Sequence, residues 1–174
     1  LNFVYLAFRV EAIGDAIKGL RALGNFRGAS VTIPHKVAAV PFLDSIEPTA
    51  RHIGAINTIV AAGGMLTGYN TDATGALRAL REGGVALKGQ RVVMLGSGGA
   101  ARAIAFALGT ELGVEHLTIL GIDEQERAAL AQDLRSKTGM TLQESPLDDG
   151  MLQKVLPDAH VLIHCTPIGM SPKV

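Results

Sequence analysis

The chain has 174 residues, 48% hydrophobic and 18% charged, with sixteen basic and sixteen acidic side chains that cancel. That is enough for one large or two small cores, and the balanced charge leaves no electrostatic footprint for nucleic acid or an anionic membrane surface. No apolar run reaches membrane-spanning length and no leader pattern opens the chain, so a soluble, cytoplasmic protein without nucleic-acid or membrane partners is expected.

Asn2 to Val10 reads as a strand, because Phe3-Val4-Tyr5-Leu6 and Phe8 crowd aromatic and branched residues together. Glu11 to Leu23 carries Ile13, Ile17 and Leu20 at helical spacing and ends at Gly24-Asn25. Ala29 to Ile33 is a second strand, and the order strand, helix, strand predicts a parallel βαβ unit. Pro34-His35-Lys36 follows at the strand end, where ligands collect in open α/β sheets. By position alone, Lys36 also reads as a solvated surface lysine.

Ala38 to Ile53 gives mixed helical signals broken at Pro41 and Pro48. Gly54 to Val60 is a strand that Ala62-Gly63-Gly64 turns into Met65 to Tyr69, a hairpin pattern. Asn57 is a polar residue inside that apolar run, and its amide needs partners, which backbone groups at a strand end also supply. A helix is expected over Ala73 to Arg81, with Leu77 and Leu80 apolar and Gly83-Gly84 as its stop. Asp72, just before it, stands where an N-cap residue would stand. The domain boundary falls within Gly83 to Gly89.

Val92 to Leu95 is a short apolar run, broken at Gly96-Ser97-Gly98-Gly99 and resumed as a helix with Ala101, Ile104, Ala105 and Leu108 on one face. In the G-x-G-x-x-G/A fingerprint, Gly96 makes the tight turn, Gly98 lets the backbone approach a pyrophosphate, and Ala101 permits close helix–strand packing. A glycine turn without a ligand has the same local pattern. His116 to Leu120 is the next strand, and Asp123 follows at the distance of a ribose-binding acid, so a dinucleotide βαβ unit is expected. Asp123 is equally placed to cap a helix over Glu124 to Leu134. A last strand covers His160 to His164. Only about 85 residues follow Gly89, fewer than two βαβαβ halves need, and the chain opens inside an apparent strand; truncation at both ends is therefore expected. Cys165 stands alone and the five histidines lack ligand spacing, so no metal is expected.

Ser30-Val-Thr-Ile-Pro-His-Lys36, Gly54-Ala-Ile-Asn-Thr58, Gly68-Tyr-Asn-Thr-Asp72, Gly96-Ser-Gly-Gly-Ala-Ala101 and Cys165-Thr-Pro-Ile-Gly-Met170 resemble, in order and spacing, the motifs of shikimate dehydrogenases. The resemblance implies an α/β fold of two α/β domains. Residues 1–85 would form the substrate-binding catalytic domain, lacking its start, and residues 86–174 a Rossmann-like NAD(P)-binding domain, lacking its C-terminal part. It implies reversible hydride transfer between shikimate and 3-dehydroshikimate, with Lys36 and Asp72 as the catalytic pair. Thr32, Asn57 and Asp72 would hold the substrate ring. Gly96, Ser97, Gly98, Gly99 and Ala100 would cradle the pyrophosphate, with Asp123 and Thr166 elsewhere on the cofactor. A quinate/shikimate dehydrogenase is the nearest alternative; a non-catalytic sensor of quinate or shikimate is an alternative of another class. Partners are a small-molecule substrate and a second copy at most, the protein being a monomer or homodimer.

The family's N-terminal Ser-x-Ser loop and its C-terminal glutamine segment have no counterpart here, and Gly121-Ile122-Asp123 stands where many members have Asn-Arg-Thr. The cofactor is NAD or NADP, and Asp123 favours NAD, since a carboxylate accepts from ribose hydroxyls but repels a 2′-phosphate. Arg102 and Arg127 are the nearby cations that would temper this preference.

Overall fold

Two four-stranded sheets organise the protein, and the computed structural model describes residues 2–170. Leu1 and residues 171–174, the ends at which truncation is expected, lie outside the described residues. The first sheet contains β1 (Gly28–Ser30), β2 (Ser45–Ile46), β3 (Thr58–Ala62) and β4 (Met65–Tyr69) in the order β1-β3-β4-β2. β3 pairs antiparallel with both β1 and β4, while β2 and β4 run parallel. Gly63 and Gly64 join β3 to β4 with φ of 57° and 79°, which is the conformation that the expected hairpin turn requires of glycine.

The parallel βαβ unit expected at the start of the chain does not form. Residues 2–10 carry no strand, and Phe3, Val4, Tyr5, Leu6 and Phe8 are 64–82% exposed. Strand propensity there has no described neighbouring strand to supply a hydrogen-bond ladder, and the chain stays irregular. β1 pairs instead with the hairpin. Helix α1 (Ile13–Arg21) buries Ile17 against Val31, Ile56, Ile59 and Leu66 to make the first core. The two prolines expected to break helical structure start it: Pro41 lies in a 3₁₀ turn, Val40–Phe42, and Pro48 begins α2 (Pro48–Ile53). An N–H in the first turn has no partner within its helix, so its loss costs nothing.

The second sheet is fully parallel, with β5 (Arg91–Leu95), β6 (His116–Gly121), β7 (Thr141–Pro146) and β8 (Val161–His164) in the order β7-β6-β5-β8. The connections reverse direction at β5, so the carboxyl ends of β5 and β8 flank the crevice where such sheets bind ligands. Helices α4 (Gly99–Glu111) and α5 (Glu124–Lys137) cover the sheet, and Phe106, Leu108, Leu130 and Leu134 pack on Val92, Met94, Leu117 and Ile119. A short α6 (Asp149–Val155) leads toward β8. Among the described residues no helix is long and apolar enough to cross a membrane.

The two cores interlock. Helix α3 (Asp72–Glu82) follows the hairpin, yet its Ala73 and Leu77 belong to the second core, as do Ile53 and Ala55. The C-terminal carbonyls of α2 accept from cations on the other side: Arg102 of α4 donates to Ile53 O at 3.3 Å and Lys137 of α5 to His52 O at 3.0 Å. Arg102 is 8% exposed and also pairs with Asp133, while Lys137 lies 5.3 Å from the centre of the Phe106 ring. Removing one partner of a buried pair leaves the other without compensation, an effect moderated here because Asp133 is part-exposed. Arg102→Ala is expected to lower stability by about 2–3 kcal/mol, whereas Arg78→Ala, at the exposed pair with Glu82, should cost under about 0.5 kcal/mol. Urea unfolding midpoints of the two variants check the contrast.

Candidate active site

The turn after β1 and the start of α3 bring Lys36 and Asp72 together. Lys36 Nζ donates to Asp72 Oδ2 at 2.6 Å, and the two side chains are 14% and 25% exposed. The surface-lysine reading of Lys36 therefore does not hold. Nor is Asp72 a cap: it is the first helical residue, Thr71 holds the N-cap position, and the carboxylate points to Lys36 and to Asn57 Nδ2, 2.8 Å from Oδ1. A short charge-assisted bond on one oxygen and an amide on the other fix the carboxylate plane.

Asn57 is the hub of this arrangement. Its amide nitrogen also donates to Thr71 Oγ1 at 2.9 Å, and its amide oxygen accepts from the Thr71 N–H at 3.1 Å and the Thr58 hydroxyl at 2.9 Å. Both amide hydrogens are thus committed to the residues that begin α3. Asn70, which sequence reasoning passed over, is buried and donates to Ala55 O at 2.9 Å, while its side-chain oxygen accepts from the Asp72 N–H at 3.0 Å. An Asn two residues before the first helical Asp is an Asx-turn signal, and that signal was readable. The Ile56 N–H donates to Lys36 O at 2.8 Å, which ties the lysine backbone to the same segment. Thr32 is exposed on the turn leading to Lys36, its carbonyl accepting from the His35 N–H at 2.9 Å, and the His35 ring contacts Val10 O at 2.7 Å.

The glycine turn follows β5. Gly96 has φ of 104°, and a Cβ there would lie 3.0 Å from Cys165 O, so both the backbone angle and the close approach of the β8 end call for glycine. A Cβ on Gly98 would instead enter open space, meeting only a Glu126 carboxylate oxygen at 3.9 Å. No side chain caps the N-terminus of α4, whose first N–H groups, including that of Ala100, surround this opening. The cradle fits a pyrophosphate. Ser97 is buried against Gly121, where a Cβ would come within 2.7 Å of its hydroxyl oxygen. Thr166 follows the β8 end beside the turn, and its N–H donates to His164 Nδ1 at 3.2 Å.

Cys165 connects the two halves of the site. Burial, and then the negative charge of Asp72, push its thiol up to about 11, so it stays protonated at neutral pH. Asp123 and the two arginines each have a partner within the fold. Asp123 caps α5, its Oδ1 accepting from the Glu126 N–H at 2.8 Å. Arg127 is buried, donating to Glu144 at 2.6 Å and to Gly121 O at 2.9 Å. Arg102 is held by Asp133 and Ile53. The cations that the sequence offers to a 2′-phosphate are therefore engaged inside the fold.

Comparison with known proteins accords with this architecture. The family model described as the shikimate dehydrogenase substrate binding domain matches residues 1–59. The chain is 45% identical over 175 residues to the shikimate dehydrogenase (NADP(+)) of Symbiobacterium thermophilum, covering 99% of this chain and 59% of that protein. A shikimate 5-dehydrogenase from Listeria monocytogenes, solved in complex with shikimate and NAD, superposes with a TM-score of 0.78 at 35% identity, over 97% of this chain and 60% of that one. The ligand-free 5-ketofructose reductase of a Gluconobacter species gives 0.69 at 37% identity, over 92% of this chain and 57% of that one. The chain thus spans about three-fifths of the length of the relatives it matches. Along nearly its whole length the chain is similar to the shikimate dehydrogenase family, and its first 59 residues match that family's substrate binding domain.

Proposed function

We propose that the protein catalyses reversible hydride transfer between shikimate and 3-dehydroshikimate, using a nicotinamide dinucleotide held by the turn from Gly96 to Ala100. The Lys36–Asp72 pair at 2.6 Å carries this reading, because a binding protein needs ring contacts but no group able to exchange a proton. A dinucleotide bound at the turn would supply or accept the hydride. Lys36 then does the proton work: its ammonium gives a proton to the carbonyl oxygen during reduction, and the free amine takes the hydroxyl proton during oxidation. Asp72 holds the ammonium in place, and Asn57 holds Asp72 through its second oxygen. Asn57 acts in this scheme chiefly by orienting Asp72, since both its amide hydrogens already have partners. Thr32, exposed beside the same turn, is proposed to meet a ring hydroxyl.

We propose NADP(H) as the preferred dinucleotide, following the named specificity of the curated relatives. The NAD preference expected from Asp123 finds no support among them, and that carboxylate serves α5 as its cap. With Arg102 and Arg127 both engaged in ion pairs, the preference should be modest.

Two experiments on the full-length protein test this reading. Lys36→Ala should lower kcat by about 10²–10⁴-fold with a small change in KM, and Asp72→Asn should follow it. Near-normal turnover in Lys36→Ala would move the proton exchange elsewhere. In assays pairing shikimate, quinate and 5-ketofructose with each dinucleotide, shikimate with NADP should give the highest kcat/KM, with NADP ahead of NAD by less than about tenfold, or 1.4 kcal/mol. Placing a cation beside the cap with Ile122→Arg, at a position 87% exposed, should widen that gap. A wild-type preference for NAD would overturn the cofactor assignment.

A further inference from the structure

Dinucleotide recognition accounts for Gly96, by its backbone angle, and for Gly98, by the open approach, but at Gly99 it uses only a backbone N–H, which any residue except proline would supply. Gly99 is the first residue of α4 and has no positive φ, so its backbone is open to any residue. Glycine is also the poorest helix former after proline, so nothing in the helix itself favours it there. The neighbour that requires it is Lys36. A Cβ built on Gly99 would lie 2.7 Å from Lys36 Cβ, 3.2 Å from Cδ and 3.4 Å from Cγ. The tightest of these contacts is at the root of the lysine side chain, which moves only with its backbone, and that backbone is tied to Ile56 N–H at 2.8 Å.

We propose that Gly99 is a positioning residue: by leaving no side chain between α4 and the Lys36 stem, it seats the lysine on Asp72 and joins the pyrophosphate turn and the catalytic pair in one contact. This rests on the functional reading above. Filling of the turn is thereby felt at the lysine, and the lysine is set correctly only when the first turn of α4 lies against it. An alanine at 99 must push the two apart by about 1 Å to reach ordinary carbon–carbon contact. A displacement of that size at a reacting group lowers rate by as much as about 10²-fold.

The test compares Gly99→Ala with Gly98→Ala in the full-length protein, measuring dinucleotide affinity by titration calorimetry, kcat at saturating dinucleotide, and reductive methylation of Lys36 by mass spectrometry. Gly99→Ala is expected to keep dinucleotide affinity within about threefold, to lose about 10–100-fold in kcat, and to expose Lys36 to faster methylation. Gly98→Ala should show the opposite split, with weakened affinity and Lys36 methylated as in the wild type. In the wild type, ADP-ribose, which fills the turn but lacks the nicotinamide, should slow methylation of Lys36. Weakened affinity with unchanged kcat in Gly99→Ala would overturn the proposal in favour of a pyrophosphate role alone. So would methylation of wild-type Lys36 that ignores ADP-ribose, a measurement that decides the matter even if Gly99→Ala fails to fold. A wild-type protein that turns over none of the assayed substrates would remove the functional reading and leave the methylation result to judge the contact.

Discussion

Everything near the site depends on one carboxylate having both oxygens engaged. Asp72 receives the Lys36 ammonium on Oδ2 and the Asn57 amide on Oδ1, and its own N–H is held by Asn70. Each of those partners is anchored in turn: Asn57 in the β3 end through Thr58 and Thr71, Asn70 through Ala55 O, and Lys36 through the Ile56 N–H. A charged group at partial burial keeps its orientation only when its lone pairs have partners with fixed positions of their own. The hairpin and the segment from Gly54 to Asn57 supply those positions, which explains why a small mixed sheet with a modest core suffices to hold the lysine–aspartate pair.

The parts of this arrangement that were legible in the sequence are those written in local chemistry. The turn at Gly63-Gly64, the strand–glycine–helix unit at Gly96 and the α3 stripe of Leu77 and Leu80 each follow from backbone angles or periodicity. The parts that were not legible depend on partners distant in sequence. Residues 2–10 have strand composition without a described strand to pair with, whereas β7, Thr141–Pro146, has polar composition yet forms a strand because β6 offers it a parallel edge. For Asp72 and Asp123 the sequence left helix-capping and functional readings side by side. Tertiary contacts give Asp72 a lysine partner in place of the cap and give Asp123 the cap of α5.

Arginines posed the same difficulty in a sharper form. Arg102 and Arg127 stand near the glycine turn and the β6 end in sequence, where they are the cations that would temper a preference for NAD. The fold turns both inward, one onto Asp133 and the C-terminus of α2, the other onto Glu144 and Gly121. Their long stems fill core space as their heads pair with part-exposed carboxylates, so they act as structural ions. Sequence proximity to a binding turn is thus a poor guide to the direction of a long side chain.

Helix α3 has one end in each half of the molecule. Asp72 begins it in the site, and Ala73 and Leu77 anchor it in the core of the second sheet. A helix of eleven residues transmits displacement along its axis with little loss. Variation in the packing between α3 and α4 is therefore filtered twice, once by whether the protein folds and again by whether a carboxylate one turn away still meets its lysine. A core substitution that leaves stability unchanged is therefore still not neutral if it shifts Asp72 against Lys36, so the tolerance of this interior is set by alignment of the pair as well as by packing.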